Sequence, residues 1–267
     1  MLSFVLRRLA VAIPTLLILV VFSYAIMYAA PGGPFDTERT LPPEVMANLE
    51  AKYGLDRPVI VQMATYVWNV VTQFDFGPSY MYKDQSVNDI IAQGFPVTLT
   101  YGFWSFVVAC AVGISLGIVA AVRHNSWLDY LAVGISIGAQ VLPNFVMAPI
   151  LVLIFTLWLG WLPGGGWQGG QWQYVVMPVI ALSTSFMASI ARLTRSSMLE
   201  VLNANYIRTA RAKGLPMRRV IVRHALKPAL LPVISYLGPA FVGMITGSVV
   251  IDIYFSTGGI GVFFVNS

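Results

Sequence analysis

The chain has 267 residues, of which 57% are hydrophobic and only 10% are charged. This composition excludes a water-soluble domain with an ordinary charged surface and indicates an integral membrane protein. The formal net charge of +5 is concentrated beside apolar runs, so it reports membrane topology and gives no reason to expect nucleic-acid binding.

A helix that crosses a bilayer needs about 20 mostly apolar residues, and five segments reach that length. Alternating ten-residue strands, which mark outer-membrane barrels, are absent from the sequence. We therefore predict an all-α, polytopic transmembrane helical bundle. Its five predicted spans are residues 9–30, 97–122, 131–160, 174–191 and 229–251.

The first span follows Arg7 and Arg8, a pattern that also describes a secretory signal peptide. Its apolar run of roughly 22 residues exceeds the usual length of a signal core, about 7–15 residues. Pro31 directly after Ala30 is also a poor neighbour for a cleavage site. We therefore predict that the first span is retained.

Loops rich in Lys and Arg stay in the cytoplasm, so Arg7 and Arg8 place the N-terminus there. The loop 31–96 has eight acids against four bases and is predicted to lie outside. The link 192–228 has nine bases and one acid, and is predicted to be cytoplasmic. The chain thus divides into residues 1–30 with the N-terminus and first span, the outer loop 31–96, and the core 97–267 with its basic link 192–228.

The outer loop contains signals for short helices. Pro42 and Gly54 predict the start and end of one helix, and Ser86 with Asp89 resembles a capping box at the entrance to the second span. These helices are predicted to lie along the membrane surface, where they either cover the outer ends of the bundle or bind a partner. Another helix, over residues 58–72, is predicted from an apolar stripe made of Val59, Met63, Tyr66, Val67 and Val70.

The sequence predicts no catalytic, metal or cofactor site. Cys110 lies inside the second span as a packing residue, and His124 and His224 lack neighbouring metal ligands. Residues 113–117 and 134–138 both match the G-x-S-x-G pattern of hydrolases, but they lie within predicted spans, without the strand-turn-helix elbow that gives this motif its meaning. They are predicted to be small-residue faces where helices approach closely.

Transport is the class of function that these features favour. The central turns of the spans carry no Lys, Arg, Asp or Glu that could relay protons or sodium. The chain also lacks the G-x-x-x-x-G-K-[ST] loop that cradles nucleotide phosphates. A transporter of this kind needs a partner that supplies energy, while a secondary carrier or channel and an intramembrane enzyme remain alternatives.

The basic link has the composition of a docking element. It predicts one helix that ends at Gly214 and a second, residues 217–226, that starts after Pro216. The charges also suit contact with anionic lipid head groups. The first helix is amphipathic through Leu199, Leu202, Tyr206, Ile207 and Ala210. The corner predicted to enter a groove of a partner consists of Thr209, Ala210, Arg211, Ala212, Lys213, Gly214, Leu215 and Pro216.

Several phrases of the sequence resemble binding-protein-dependent ABC transporter permeases of the peptide type. The basic link reads YIRTARAKGL from Tyr206, then HALKP and ALLP from His224. In the outer loop, the phrases at 30–32, 53–58 and 75–79 match the same family. PMRR at 216–219 and SYLGPAFVG at 235–243 are similar to the B-type subunit of oligopeptide transporters. The resemblance extends over essentially the whole chain.

The resemblance implies an inner-membrane heterodimer with a second permease, two cytoplasmic ATPase subunits and an external peptide-binding protein. The loop around Gly214 would be the coupling helix seated in an ATPase subunit. ATP and Mg would be used by the ATPase partners, and this chain would bind no cofactor and perform no covalent chemistry. Dipeptides or a metal chelate are alternative substrates.

The sequence departs from the family pattern in three places. Arg208-Thr209-Ala210 stands where other ABC importers have Glu-Ala-Ala, so no role of that glutamate transfers. Gly258 stands where the peptide branch has a proline, which predicts a looser turn. The family has six spans and five are visible here, so we expect a truncated chain.

Polar groups inside apolar spans are candidates for the substrate pathway. Asp252, near the end of the fifth span, is predicted to lie at the membrane interface. The serines and threonine at 183–185 could equally serve helix packing. The predicted pathway residues are Gln140, Asn144, Ser183, Thr246 and Ser248.

Overall fold

The computed structural model describes residues 2–29, 54–79, 81–82, 85–246 and 249–266. They form two compact units, Met1–Ala92 and Gln93–Asn266. Over this part of the chain the elements are helical, apart from an isolated β-bridge between Pro78 and Ser86. The predicted all-α class is confirmed.

In the first unit, the described residues include the helices α1 (Leu2–Ala29) and α2 (Val59–Gln73). Tyr24 of α1 joins them, because its ring lies 5.7 Å from that of Tyr66 and its hydroxyl donates a 2.9 Å hydrogen bond to Gln62 Oε1. The helix predicted over 58–72 is confirmed. All five residues of its predicted stripe are half-buried.

The first unit also holds the entrance to the next helix, α3 (Val87–Val122). Ser86 Oγ accepts a hydrogen bond from the Asp89 amide at 3.1 Å, and Asp89 Oδ2 accepts one from the Ser86 amide at 3.0 Å. This reciprocal pair confirms the predicted capping box. The helix predicted from Pro42 to Gly54 lies outside the described residues, except for Gly54 itself, which has φ +69°.

Among the described residues, four helical segments are long and apolar enough to cross a membrane: Ser3–Ile26, Val87–Val122, Trp172–Leu202 and Met217–Thr246. We name the last two α6 and α8. The second span begins ten residues before its predicted start, because α3 continues through Pro96. The prediction had stopped at this proline, whose ring removes one backbone donor without ending the helix here.

The third predicted span, residues 131–160, is a bent pair of helices. It consists of α4 (Trp127–Val141) and α5 (Asn144–Leu151), and α5 continues as a π-helical stretch, Val152–Trp158. The two limbs are bent by 103°. Leu142 is extended, with φ −78° and ψ 112°, because the following proline, Pro143, disfavours the helical region for the residue before it.

The fourth and fifth spans extend further than predicted. Helix α6 continues to Leu202, eleven residues past the predicted end at 191, and α8 starts at Met217 instead of 229. The predicted separate helix 217–226 is therefore the first part of α8, which includes a π-helical stretch, Val220–Ala225. The predicted spans were too short because hydropathy marks where a helix leaves the membrane and not where the helix ends. Arg and Lys are good helix formers, so a helix can continue through them.

The core of the second unit surrounds α6. Gly113 and Gly117 of α3 pack against its backbone, since a Cβ added at these positions would lie 2.8 Å from the Met187 carbonyl and 2.5 Å from the Ala191 carbonyl. This confirms the predicted close approach for residues 113–117. Around Gly134 and Gly138 of α4 nothing lies within 4 Å of such a Cβ, so the second predicted face makes no such contact among the described residues. Buried core residues include Tyr101, Leu182, Ile190, Val233 and Met244.

Two short helices complete the described chain, α9 (Val249–Phe255) and α10 (Ile260–Asn266). The turn between them contains Ser256 with φ 50° and Gly258 with φ 74°. Proline cannot adopt a positive φ, so Gly258 supplies a left-handed conformation that a proline at this position would exclude.

Candidate functional site

The predicted docking corner lies on α7 (Asn205–Ala212) and the turn that follows it. The single amphipathic helix predicted from Leu199 to Gly214 is wrong, because α6 ends at Leu202 and Ala204 is extended, with φ −67° and ψ 148°. The Asn203 amide side chain donates a 2.9 Å hydrogen bond to the Leu199 carbonyl. Asparagine thereby satisfies a carbonyl at the helix end and supports the break.

The underside of α7 is anchored in an apolar cluster. Ile207 is 0% exposed and Ala210 is 7% exposed. They pack with residues of α3, α6 and α8, which are Ala121, Met198, Val220, Ala225 and Ala229. This packing fixes one face of the short helix, so its other face is held in a defined position.

The outer surface of the corner is basic and open. Gly214 adopts φ 74°, and nothing lies within 4 Å of a Cβ placed there. Arg218 and Arg219, in the first turn of α8, are exposed on the same link. Among the eight predicted docking residues, Ala210 is buried and Leu215 is half-buried. The other six are exposed: Thr209, Arg211, Ala212, Lys213, Gly214 and Pro216.

The predicted pathway residues do not form one site. Asn144 Oδ1 accepts a 3.2 Å hydrogen bond from Ser185 Oγ, which joins α5 to α6. Ser183 is buried and donates to the Ile180 carbonyl at 3.1 Å, and Thr246 is exposed and donates to the Val242 carbonyl at 2.9 Å. Gln140 is exposed, and Ser248 lies outside the described residues.

Asp252 is a polar residue whose surroundings the sequence did not reveal. It is 0% exposed, so its carboxylate lies inside the protein. Its Oδ1 accepts a 2.6 Å hydrogen bond from the Tyr101 hydroxyl and one from the Thr257 hydroxyl. Its Oδ2 accepts a 3.0 Å hydrogen bond from the Gly261 amide and lies 3.5 Å from Thr98 Oγ1. These donors replace the water that a buried carboxylate loses.

The turn around Asp252 requires glycine. A Cβ at Gly259 would overlap Asp252 Oδ1 and lie 2.6 Å from Thr98 Oγ1, and one at Gly261 would lie 2.5 Å from Val249 Cα. The Ile260 amide also donates a 3.0 Å hydrogen bond to Thr98 Oγ1. The cluster therefore fastens the turn between α9 and α10 to α3. The sequence signal that could have indicated this cluster is a single acidic residue followed by a glycine-rich turn.

A second buried carboxylate joins α4 to α6. Asp129 is 1% exposed, and Arg195 donates two hydrogen bonds to it, from Nε to Oδ1 at 2.6 Å and from Nη2 to Oδ2 at 2.8 Å. The Asn125 amide and His124 Nδ1 each lie 3.0 Å from Oδ2. The bidentate geometry fixes the spacing of the two helices.

Two family models match the chain. Residues 113–267 match the binding-protein-dependent transport system inner membrane component, and residues 1–102 match the N-terminal part of the membrane component of such systems. Together these two ranges take in the chain except residues 103–112.

Curated relatives align over the full chain. The chain is 56% identical over 266 residues to the oligopeptide transport system permease protein OppB of Escherichia coli K12, covering 100% of this chain and 87% of the relative. Identity to OppB of Haemophilus influenzae is 54% with the same coverage. Identity to the dipeptide transport system permease protein DppB of Bacillus subtilis is 42%, covering 100% of this chain and 86% of the relative.

A solved structure shares the fold. The MetNI methionine ABC transporter, in its inward-facing conformations, matches with a TM-score of 0.56 and 17% sequence identity, covering 67% of this chain and 81% of that chain. At this identity the likeness concerns the helical arrangement alone.

Proposed function

This chain belongs to the family of binding-protein-dependent transport system inner membrane components, and from that premise we propose that it is the permease subunit of an ATP-driven importer of oligopeptides. The single observation that carries the proposal is the 56% identity over 266 residues to an oligopeptide permease. The chain is a multi-pass inner membrane protein. Its own part in transport is to form a pathway, and ATP is hydrolysed by partner subunits.

The proposed complex contains a second permease, two ATPase subunits and an external peptide-binding protein. The net positive charge of the link 192–228 supports a cytoplasmic position for this link and for the N-terminus. ATP and Mg would be bound by the ATPase subunits, with no cofactor held by this chain.

The exposed corner around Gly214 is the proposed ATPase-docking element. Its outer residues are small or basic, and its underside is held by Ile207 and Ala210. Pro216 is followed at once by α8, which is one helical run from Met217 to Thr246. A force applied to the corner would therefore pass directly into a membrane span, without a flexible link that could absorb it.

For the substrate pathway, we propose a region of the permease and not a complete set of contact residues. Asn144 and Ser185 meet where the bent pair α4–α5 packs on α6, and this junction is the best supported of the predicted positions. Gln140, Ser183, Thr246 and Ser248 stay predictions that substitution and uptake assays would test singly.

The test is uptake by proteoliposomes that contain this chain with its co-purified permease and ATPase subunits. With the external binding protein present and ATP enclosed, we expect labelled oligopeptides to accumulate, and we expect dipeptides to compete weakly. Accumulation driven by an ion gradient without ATP would show a secondary carrier instead. A preference for dipeptides would support the alternative suggested by the 42% identity to a dipeptide permease.

The docking element is tested by Gly214→Asp with Gly214→Ala as its matched control. Both substitutions strain a left-handed residue by about 1–2 kcal/mol, but only the aspartate adds a charge opposite to that of the basic surface. We expect Gly214→Asp to lose ATPase stimulation or assembly and Gly214→Ala to keep most of both. Wild-type peptide uptake by Gly214→Asp would contradict the docking assignment.

A further inference from the structure

Helix α2 has a second apolar face that no part of the described chain covers. Ile60 is 75% exposed and Trp68 is 66% exposed. Val61, Ala64 and Val71 are exposed beside them. At 3.6 residues per turn, these five side chains occupy about 100° of the helix circumference. The face adjoins the predicted stripe, since Ile60 lies only about 20° around the helix axis from Val67.

The polar residues of α2 form a separate side of the helix, about 100° wide. They are Gln62, Thr65, Asn69, Thr72 and Gln73. Gln62 points inward, where its Nε2 donates to the Leu55 and Arg57 carbonyls at 3.0 and 2.7 Å. Its Oε1 accepts from the Tyr24 hydroxyl. The fifteen residues of α2 contain no Lys, Arg, Asp or Glu. Even the exposed Thr72 hydroxyl donates to the carbonyl of Trp68, at 2.7 Å.

The contact with α1 places α2 at the end of a membrane span. Tyr24 lies close to the end of the apolar segment Ser3–Ile26. Counted from Arg8, which the charge pattern places at the cytoplasmic side, Tyr24 lies about 24 Å farther along the helix axis. This distance puts Tyr24 toward the outer boundary of a hydrocarbon core about 30 Å thick. Tyrosine and tryptophan are enriched at this boundary, and α2 brings Tyr66 and Trp68 to it.

We propose that α2 is an interfacial helix whose outward face, Ile60, Val61, Ala64, Trp68 and Val71, lies in the lipid bilayer at the end of α1. The adjoining span α1 also exposes apolar side chains near its end, among them Phe22 and Ile26, which favours lipid as the occupant of the face. A surface for reversible protein docking would carry a polar, charged rim. Here the charged neighbours, Arg57 and Asp75, lie beyond the two ends of the helix. The proposal is independent of what the complex transports.

The experiment measures the depth of α2 in the assembled complex in bilayer nanodiscs. A small fluorophore is attached at Trp68→Cys or at the matched control Gln73→Cys, in a Cys110→Ala background. Gln73 lies on the same helix but about 140° away around the axis. The quenchers are nitroxide lipids labelled near the head group and, separately, aqueous iodide.

We expect lipid quenching to be about threefold stronger at position 68 than at position 73, with the opposite order for iodide. Equal iodide quenching at both positions, without lipid quenching, would overturn the proposal. The proposal would also be overturned if lipid quenching were absent in the whole complex and position 68 were protected from iodide only when the external binding protein is present. That combination would show a protein-docking face.

A second measurement uses the unmodified complex, so it tests the proposal even if the cysteine variants fail to assemble. A lipid with a photoactivatable diazirine near the glycerol backbone is incorporated into the nanodisc and activated, and the cross-linked residues are mapped by mass spectrometry. We expect adducts at Ile60, Trp68 and Val71 and none at Gln62. Adducts confined to α1 would contradict the proposal.

Discussion

The Tyr101 hydroxyl donates a 2.6 Å hydrogen bond to the buried carboxylate of Asp252, from a position 151 residues earlier in the chain. Tyr101 lies on α3, and Asp252 lies on α9 beside the glycine-rich turn. A carboxylate in an apolar interior depends on its donors for the solvation that water would otherwise provide. The pair therefore couples the turn after α9 to a membrane span.

Tyr101→Phe should lower the free energy of unfolding by about 1.5–3 kcal/mol, because it removes a hydrogen bond to a charged acceptor. Chemical denaturation of the purified complex, followed by tryptophan fluorescence, measures this loss. Ser115→Ala is the control, since the exposed Ser115 hydroxyl bonds to the Ala111 carbonyl of its own helix. Equal losses of unfolding free energy in the two variants would show that the hydrogen bond from Tyr101 to Asp252 does not stabilise the protein.

Gly259→Ala should destabilise the same site by about 2–3 kcal/mol through overpacking. The added methyl group would overlap Asp252 Oδ1, so either the turn or the carboxylate has to move. Gly238→Ala is the matched control, since nothing lies within 4 Å of its Cβ and alanine is favoured in a helix interior by about 0.5–1 kcal/mol. In thermal unfolding, we expect Gly259→Ala to melt at a lower temperature than the wild type and Gly238→Ala at a higher one. A stable Gly259→Ala protein would argue against the observed turn.

Arg195→Met should cost about 3 kcal/mol or more, because it leaves the carboxylate of Asp129 buried without its cation. Arg195→Lys should lie between this variant and the wild type, since lysine cannot make the bidentate contact. A double-mutant cycle with Asp129→Asn, read by thermal unfolding, isolates the pair. Additive losses would mean that Asp129 and Arg195 are not coupled.

Local signals predicted much of the fold. Apolar length located four spans, and the hydroxyl-carboxylate spacing at Ser86 and Asp89 located a helix start. Pro143 marks a break in the apolar run 131–160, but the 103° angle between α4 and α5 depends on how the two helices pack. Helix α6 passes its predicted end because the residues after 191 include Arg192, Arg195 and Glu200, which lower the hydropathy without ending a helix.

In the candidate site, features that depend on neighbouring residues were predicted, and features that depend on distant residues were not. The exposed corner at Gly214 depends on a local glycine and proline, and the sequence displays both. The environment of Asp252 depends on Thr98 and Tyr101, which are distant in sequence, so no local pattern distinguishes it from an acid at the membrane interface. The outward face of α2 was overlooked because the predicted stripe takes in only the adjoining part of the apolar side of the helix.

Ala210→Leu and Ala212→Leu form a matched pair that separates the anchor of α7 from its docking surface. Ala210 packs in the apolar cluster under the helix, so leucine there should destabilise the permease by about 1–3 kcal/mol. Ala212 is exposed on the outer side, so leucine there should leave the unfolding transition unchanged and weaken ATPase stimulation, because the added bulk meets the partner. Denaturation of the permease and ATPase assays of the complex measure the two effects independently. If Ala212→Leu stimulated the ATPase normally while Ala210→Leu were as stable as wild type, α7 would be neither anchored nor docked in the way proposed.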